Sequence, residues 1–225
     1  MPTPVPPAEW HCKEYGAYAR DSTEAFENAI CVYNLLNSLG WTVQAISAVY
    51  ANIEAESGYN FWRWEGDSVP STSGSQEHGY GFPQFTPATK YIDDPAAQAN
   101  EGYGPNFSNS VGSEFDGDSQ LRFIDEYADY EINWGYGYTI TYEEFKTDTT
   151  LSPEYLAKAW LHNYERPKEQ GPEVEDYRAY VARYWYDILI DYDPSDPIPP
   201  ESYSVSSLND RFRIMFYLKP WYKRF

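Results

Sequence analysis

Residues 42–58 read TVQAISAVYANIEAESG, and this stretch decides the fold. Thr42 is a residue type that caps a helix start, Gly58 is one that ends a helix, and Ile46, Val49 and Ile53 recur between them at helical spacing, which predicts a helix over about 43–57. Advancing about 100° per residue puts Glu56 near Ala45, Val49 and Ile53 on the apolar face. Glu54 points nearly opposite, beside Ser47 and Tyr50. A carboxyl rising from an apolar stripe loses water, which disfavours its charged form and lifts its pKa toward values useful for protonating a leaving group. The plainer alternatives are a frayed helix-end carboxylate or a structural ion pair with Arg63.

Helical patterning extends on both sides. Upstream, Asp21 with Glu24 forms an N-cap signature, Phe26, Ile30, Tyr33 and Leu36 share a stripe, and Gly40 suits the position after the last turn, so a first helix is expected over about 22–39. Residues 1–20 read as a proline-rich arm. Downstream, FWRWEGDSVPSTSGSQEHGYGFPQF at 61–85 is rich in aromatics, Gly and Ser and predicts an irregular hairpin or loop layer. Thr86-Pro87 restarts a helix that Pro95 cuts short, and 101–117 read as loop. Asp118 caps a helix carrying Leu121, Ile124 and Tyr127. Ser152-Pro153 opens one with Leu156, Trp160 and Tyr164 on one face, and a last helix over about 174–190 carries Tyr177, Val181, Trp185 and Ile188. The fold class expected is mainly α (α+β): a helical domain over 21–190 with a small β or loop layer at a cleft, plus a C-terminal extension. That extension comprises a Pro/Asp-rich linker at 191–202 and a tail at 203–225 in which FRIMFYL reads as a strand.

Composition removes several function classes. The formal net charge of −19 repels polyanions and lacks the basic footprint of a nucleic-acid binder. It also makes electrostatic recruitment to an anionic cell wall poor, so delivery by a larger assembly is expected. No stretch of about 18 apolar residues indicates a membrane span, and MPTPVPPAEW has neither the basic nor the apolar region of a signal peptide. The charge inverts near the end: residues 1–200 carry 11 basic and 33 acidic side chains, residues 201–225 carry 5 and 2. Aromatics reach 19% with 23 Tyr and 8 Trp, and flat rings with polar tips suit sugar faces as well as cores. Cys12 and Cys31 either form one bridge or remain two buried thiols. Histidines at 11, 78 and 162 show no metal-ligand spacing, so no metal or other cofactor is expected. A Cys31-His amidase is disfavoured because Cys31 lies in the first amphipathic helix without a basic neighbour to depress its pKa.

Three segments, ANIEAESGYN at 51–60, GYGFPQFTP at 79–87 and NYERP at 163–167, resemble the phage tail-tip lysozyme family in order and spacing. AICVYNLLNSLGWTVQAISAVY at 29–50 resembles that family's leading segment, and the likeness covers roughly residues 25–190. The family belongs to the lysozyme and lytic transglycosylase superfamily, where a Glu-Ser pair ends a helix, a Gly-x-x-Gln stretch forms the opposite cleft wall and a later helix contributes a Tyr. Glu56-Ser57, Gly81-Phe82-Pro83-Gln84 and Tyr164 occupy those positions. Ala51 replaces the usual Gly, Glu54 a common Gln and Phe85 an expected Trp, changes that remove no catalytic group.

The resemblance implies cleavage of the β-1,4 bond between N-acetylmuramic acid and N-acetylglucosamine in bacterial peptidoglycan, by a virion tail-tip component that opens the wall. Its partners would be peptidoglycan and other phage tail proteins, the latter engaged through 203–225. Glu56 would protonate the glycosidic oxygen, Gln84 would hold sugar substituents, and the nearby aromatics Tyr80 and Phe82 would contact the sugar. Tyr164 would hydrogen-bond Glu56 or substrate, or sit in the core; Ser57 would meet a sugar or, preferably, terminate the helix. An inverting enzyme needs a second carboxylate about 6.5–9.5 Å from the acid, a retaining one a nucleophile nearer about 5 Å. Glu77 is the first choice, ahead of Asp67 and Glu65, with solvated loop charge as the alternative for each. Lytic transglycosylation of the same bond and a non-catalytic glycan-binding tail protein are the competing functions.

Overall fold

The computed structural model describes residues 8–13, 15–67, 78–91, 116–131 and 137–193. Helix α1 spans Thr23–Ser38. Its N-cap is Ser22 rather than Asp21: the Ser22 hydroxyl accepts from the Ala25 N–H at 3.1 Å. Helix α2 spans Val43–Ser57, the Thr42 hydroxyl accepting from the Ala45 N–H at 3.2 Å at one end. At the other end Gly58 adopts φ 59° and donates its N–H to Glu54 O at 2.8 Å.

Both ends of α2 match their cap residues, but its amphipathic reading needs correction. Residues Ala45 through Ile53 are all buried, Ser47 and Tyr50 included. The side opposite the apolar stripe, where Ser47 and Tyr50 stand, is covered as well. Tyr50 donates to Ala25 O of α1 at 2.5 Å and its ring meets Trp185 at 4.9 Å. A helix clad on every side is the central element of its domain, and α2 is packed by the helices that follow it in sequence.

The later helices are α3 (Asp116–Glu131), which packs against α1, and α4 (Tyr142–Thr147), α5 (Pro153–Trp160) and α6 (Pro172–Leu189), which pack against α2. The short α4 was not anticipated, although Thr141 and Glu144 form a reciprocal capping box that carries its signal. It closes one end of the core, where Trp41 lies edge-on to Tyr142 and Phe145 at 6.0 and 5.9 Å. Ser152 caps α5 and Pro153 stands in its first turn, as expected. A π-helical turn, Leu161–Glu165, follows α5 directly.

Between α2 and α3 lies the loop layer. It contains no strand among the described residues, only isolated antiparallel bridges joining Trp64 to Tyr80 and Tyr80 to Phe85. The helix expected after Thr86-Pro87 is replaced, within the described residues, by a 3-10 turn at Ala88–Lys90. Asp116, fully buried at the start of α3 two residues before the expected cap, accepts hydrogen bonds from the hydroxyls of Tyr80 and Tyr91 and ties the layer to the helices. Trp10 and Tyr18, in the stretch before residue 21, lie against the core. Trp10 meets Phe61 and Phe82 at 5.6 and 5.8 Å and donates to Asp118 at 2.8 Å, while Tyr18 N–H donates to Gly58 O at 2.8 Å. Cys12 and Cys31 are free thiols, both pushed up in pKa, chiefly by burial. Glu77, most of the 191–202 linker and the 203–225 tail lie outside the described residues. Among the described residues no helix is long and apolar enough to cross a membrane.

Gly58 combines two demands, a left-handed φ and a close approach, since a Cβ built there would stand 2.1 Å from Ala17 Cβ. The left-handed conformation alone costs a non-glycine residue about 1–2 kcal/mol, and overpacking adds about 1–3 kcal/mol. Gly58→Ala should therefore lower the melting temperature by several degrees. A thermal melt within about 1 °C of wild type would show that the 15–20 segment yields freely.

Candidate active site

The last turn of α2 presents Glu56, whose side chain remains 21% exposed while its helix is buried. Its partner is Arg178 rather than Arg63: Arg178 Nη2 donates to Glu56 Oε1 at 2.6 Å. Arg178 sits on α6 with its side chain only 4% exposed, and its Nη1 donates to the Asn52 carbonyl at 3.0 Å. The same Nη2 reaches Glu165 Oε2 at 3.4 Å. Glu165 is equally enclosed, at 4%, and the two carboxyls converge on one guanidinium nitrogen. Arg178 Nε and Asn52 Oδ1 are buried polar atoms with no hydrogen-bond partner among the described residues.

Glu165 reaches this position because of the π turn. On an α-helix, residues five apart diverge by about 140°, whereas a π turn brings them into register. Trp160 Nε1 accordingly donates to Glu165 Oε1 at 3.0 Å, across five positions. The turn closes with Arg166 at φ 47°, its N–H donating to Leu161 O at 2.8 Å. Burial, followed by the neighbouring Glu56 charge, drives the Glu165 carboxyl well above the usual range, with Arg178 pulling the other way.

The remaining expected residues divide by exposure. Tyr164 is partly exposed and stacks on Trp160 at 4.0 Å, on the helix stretch that carries Glu165. Ser57 is fully buried, its hydroxyl donating to Ile53 O at 3.0 Å, so it serves the helix end. Gln84, at φ 51°, donates its amide to Arg63 O at 3.1 Å and Gly81 O at 2.9 Å, which folds the side chain into its own turn. Tyr80 and Phe82 are fully buried and present no face to a sugar; they brace the layer from within, Phe82 N–H donating to Gln120 Oε1 at 2.7 Å. Glu65 is exposed and accepts from the Gly79 N–H at 2.9 Å. Among the described residues no group of three or more His, Cys, Asp or Glu side chains is placed to hold a metal ion.

Glu54 is enclosed in a second network. Arg20 donates to both its oxygens at 2.6 and 2.5 Å, Tyr177 OH donates at 2.5 Å, and Tyr59 OH also donates to it. Burial and the Glu54 charge push the Tyr177 hydroxyl up to about 12. Glu54 is thus satisfied within the fold, while Glu56 opens outward.

Arg178 and Glu165 were absent from the expected site. Arg178 falls with Val181, Ala182 and Trp185 on the buried stripe of α6. It is therefore a charge on an apolar face, the same signal that singled out Glu56. Glu165 carries no periodic signal, because its placement depends on the π turn.

The sequence model for phage tail lysozyme matches residues 27–189. Morphogenesis protein 1 of Bacillus phage B103 is 34% identical over 164 residues, 72% of this chain and 39% of that protein. The aligned stretch thus spans well under half of that relative's length. The chain belongs to the phage tail lysozyme family.

Proposed function

We propose that this chain is a peptidoglycan hydrolase acting on the β-1,4 bond between N-acetylmuramic acid and N-acetylglucosamine, with Glu56 as the proton donor. The observation that carries this reading is the position of Glu56, partly open to solvent at the end of a buried helix and backed by the enclosed Glu165–Arg178 pair. An acid in such a place keeps a fixed orientation and faces substrate across a dry floor, as general acid catalysis requires. Membership of the phage tail lysozyme family supports the substrate class. Glu165, 4% exposed against 21% for Glu56 and held by Trp160 and Arg178, is too enclosed to serve as the nucleophile or as the base of an inverting pair. Glu77 remains the candidate to hold the attacking water.

Capture by the sugar's own 6-hydroxyl is the second reading, favoured by Glu165 lying behind Glu56 rather than across from it. Mass spectrometry of released muropeptides discriminates. Reducing ends support hydrolysis, whereas products lighter by one water, as 1,6-anhydro sugars, identify a transglycosylase. The ion pair between Glu56 and Arg178 is what a non-catalytic glycan-binding tail protein would also display, and failure of the wild type to clear purified walls would support that protein instead.

The proposed setting is the virion, at the tail tip, with the 203–225 segment docking on other tail proteins. Its basic balance, opposite to the acidic residues before it, suits an acidic partner surface. Deleting 202–225 should leave glycan cleavage intact and abolish incorporation into particles. An insoluble truncated protein would instead make the tail part of the core.

A further inference from the structure

We propose that Glu165 is the positioning residue of this site: seated behind Glu56 and sharing the Arg178 guanidinium with it, Glu165 holds one proton in common with Glu56 and keeps it available at the solvent-facing carboxyl. The assignment rests on Glu56 being the proton donor. Three features of the geometry carry it. First, Trp160 Nε1 fixes Glu165 Oε1 at 3.0 Å, which leaves Oε2 turned toward Arg178. Second, a single Nη2 serves both carboxyls, at 2.6 Å to Glu56 and 3.4 Å to Glu165. Third, two carboxyls converging on one guanidinium nitrogen carry one negative charge more than that cation matches, which favours a proton on one of them.

Charge counting agrees with the geometry. One guanidinium neutralises one carboxylate, so the triad is neutral when the other carboxyl keeps a proton, and a neutral triad suits side chains 4% exposed. The groups facing Glu165 come from separate elements: Glu56 from α2, Arg178 from α6 and Trp160 from the end of α5. The upward shift of Glu165, caused by burial and then by Glu56, follows from the same arrangement.

In the reaction the Glu56 O–H bond breaks as the glycosidic oxygen takes the proton, which leaves both carboxyls ionised on Arg178. The water that adds to the glycosyl carbon gives up its proton on that side, and the pair takes one back from solvent through the open Glu56. Glu165 touches neither sugar nor water, and acts only through Glu56.

The test uses Glu165→Gln in the full chain. The amide keeps the acceptor for Trp160 but removes the shared titration. The alkaline limb of the pH profile for wall cleavage should move acidward by about one pH unit or more, so that the loss of activity relative to wild type grows as pH rises. The melting temperature of the variant should rise relative to wild type as pH increases from 4 to 8. In that window the native wild type keeps a proton that the unfolded chain releases near about 4.3, so wild type loses stability as pH rises and the variant does not. An unmoved limb with equal loss of activity at every pH, or a melting difference independent of pH, would overturn the proposal. Carboxyl 13C NMR of the wild-type protein reads the pair without any variant: coupled titration of Glu56 and Glu165 supports it, and two independent, ordinary titrations reject it. If the wild type releases no muropeptide at any pH while the coupled titration persists, the catalytic reading fails and the shared proton stands.

Discussion

Glu56→Gln should reduce the release of muropeptides from purified walls by about 10²–10⁴-fold, the usual loss when a general acid no longer supplies its proton. The amide has nearly the same shape, and its carbonyl oxygen can accept from Arg178 Nη2 as Glu56 Oε1 does at 2.6 Å. The helical circular-dichroism spectrum should therefore be unchanged. Stability should hold or improve above the ordinary carboxylate range, because the Glu56 charge is one of the two causes that drive Glu165 upward and the substitution removes it. Cleavage by wild type should survive chelation. A Glu56→Gln protein that is folded and clears walls at the wild-type rate would move the acid elsewhere and end the proposed function.

The parts of the fold that could be read in advance are those with local chemical markers. Thr42 and Gly58 bound α2 to the residue because caps act within a few positions, and Ser152-Pro153 fixed the start of α5 for the same reason. The capping box at Thr141 and Glu144 is an equally local marker, but the helix it opens has only six residues and no repeating stripe to go with it. The burial of α2 on the side opposite its apolar stripe is not readable from sequence, since periodicity within one helix cannot show that Tyr50 is covered by Ala25 and Trp185 from distant elements. Asp21 lost the cap of α1 to the adjacent Ser22, a competition between two good capping types that one-residue spacing does not decide.

The site divides along the same line. Glu56 stood out as a carboxyl on an apolar stripe, and Arg178 carried the matching signal on α6. A buried positive charge on one helix and a buried negative charge on another imply each other, because either alone would be costly. Tyr80 and Phe82 belong to the same logic inverted. Aromatic content suggests sugar stacking or core equally, and the fully buried Asp116 decides for the core at Tyr80, because its carboxylate needs the Tyr80 and Tyr91 hydroxyls.

Arg178→Met should be the most destabilising of the substitutions at this site, costing about 3–5 kcal/mol, the range for breaking a buried ion pair from one side. The loss has two separable parts. Asn52 O loses the donor held at 3.0 Å, a cost of about 1–3 kcal/mol that does not depend on pH. The other part is electrostatic. Arg178 is the group that holds the Glu165 carboxyl down against burial and against Glu56, so without it Glu165 rises further. A carboxyl whose folded pKa lies above its unfolded value gives full stability below about pH 4.3 and loses it as pH climbs toward the folded value. The variant should therefore be nearest wild type in stability at pH 4 and furthest from it at pH 8, as measured by urea denaturation at both. Adding Glu165→Gln to Arg178→Met should recover stability at pH 8 and leave the pH 4 value almost unchanged, a coupling that independent packing defects do not produce. A loss of equal size at both pH values, unaffected by the second substitution, would mean that Arg178 serves the fold through packing and the Asn52 carbonyl alone.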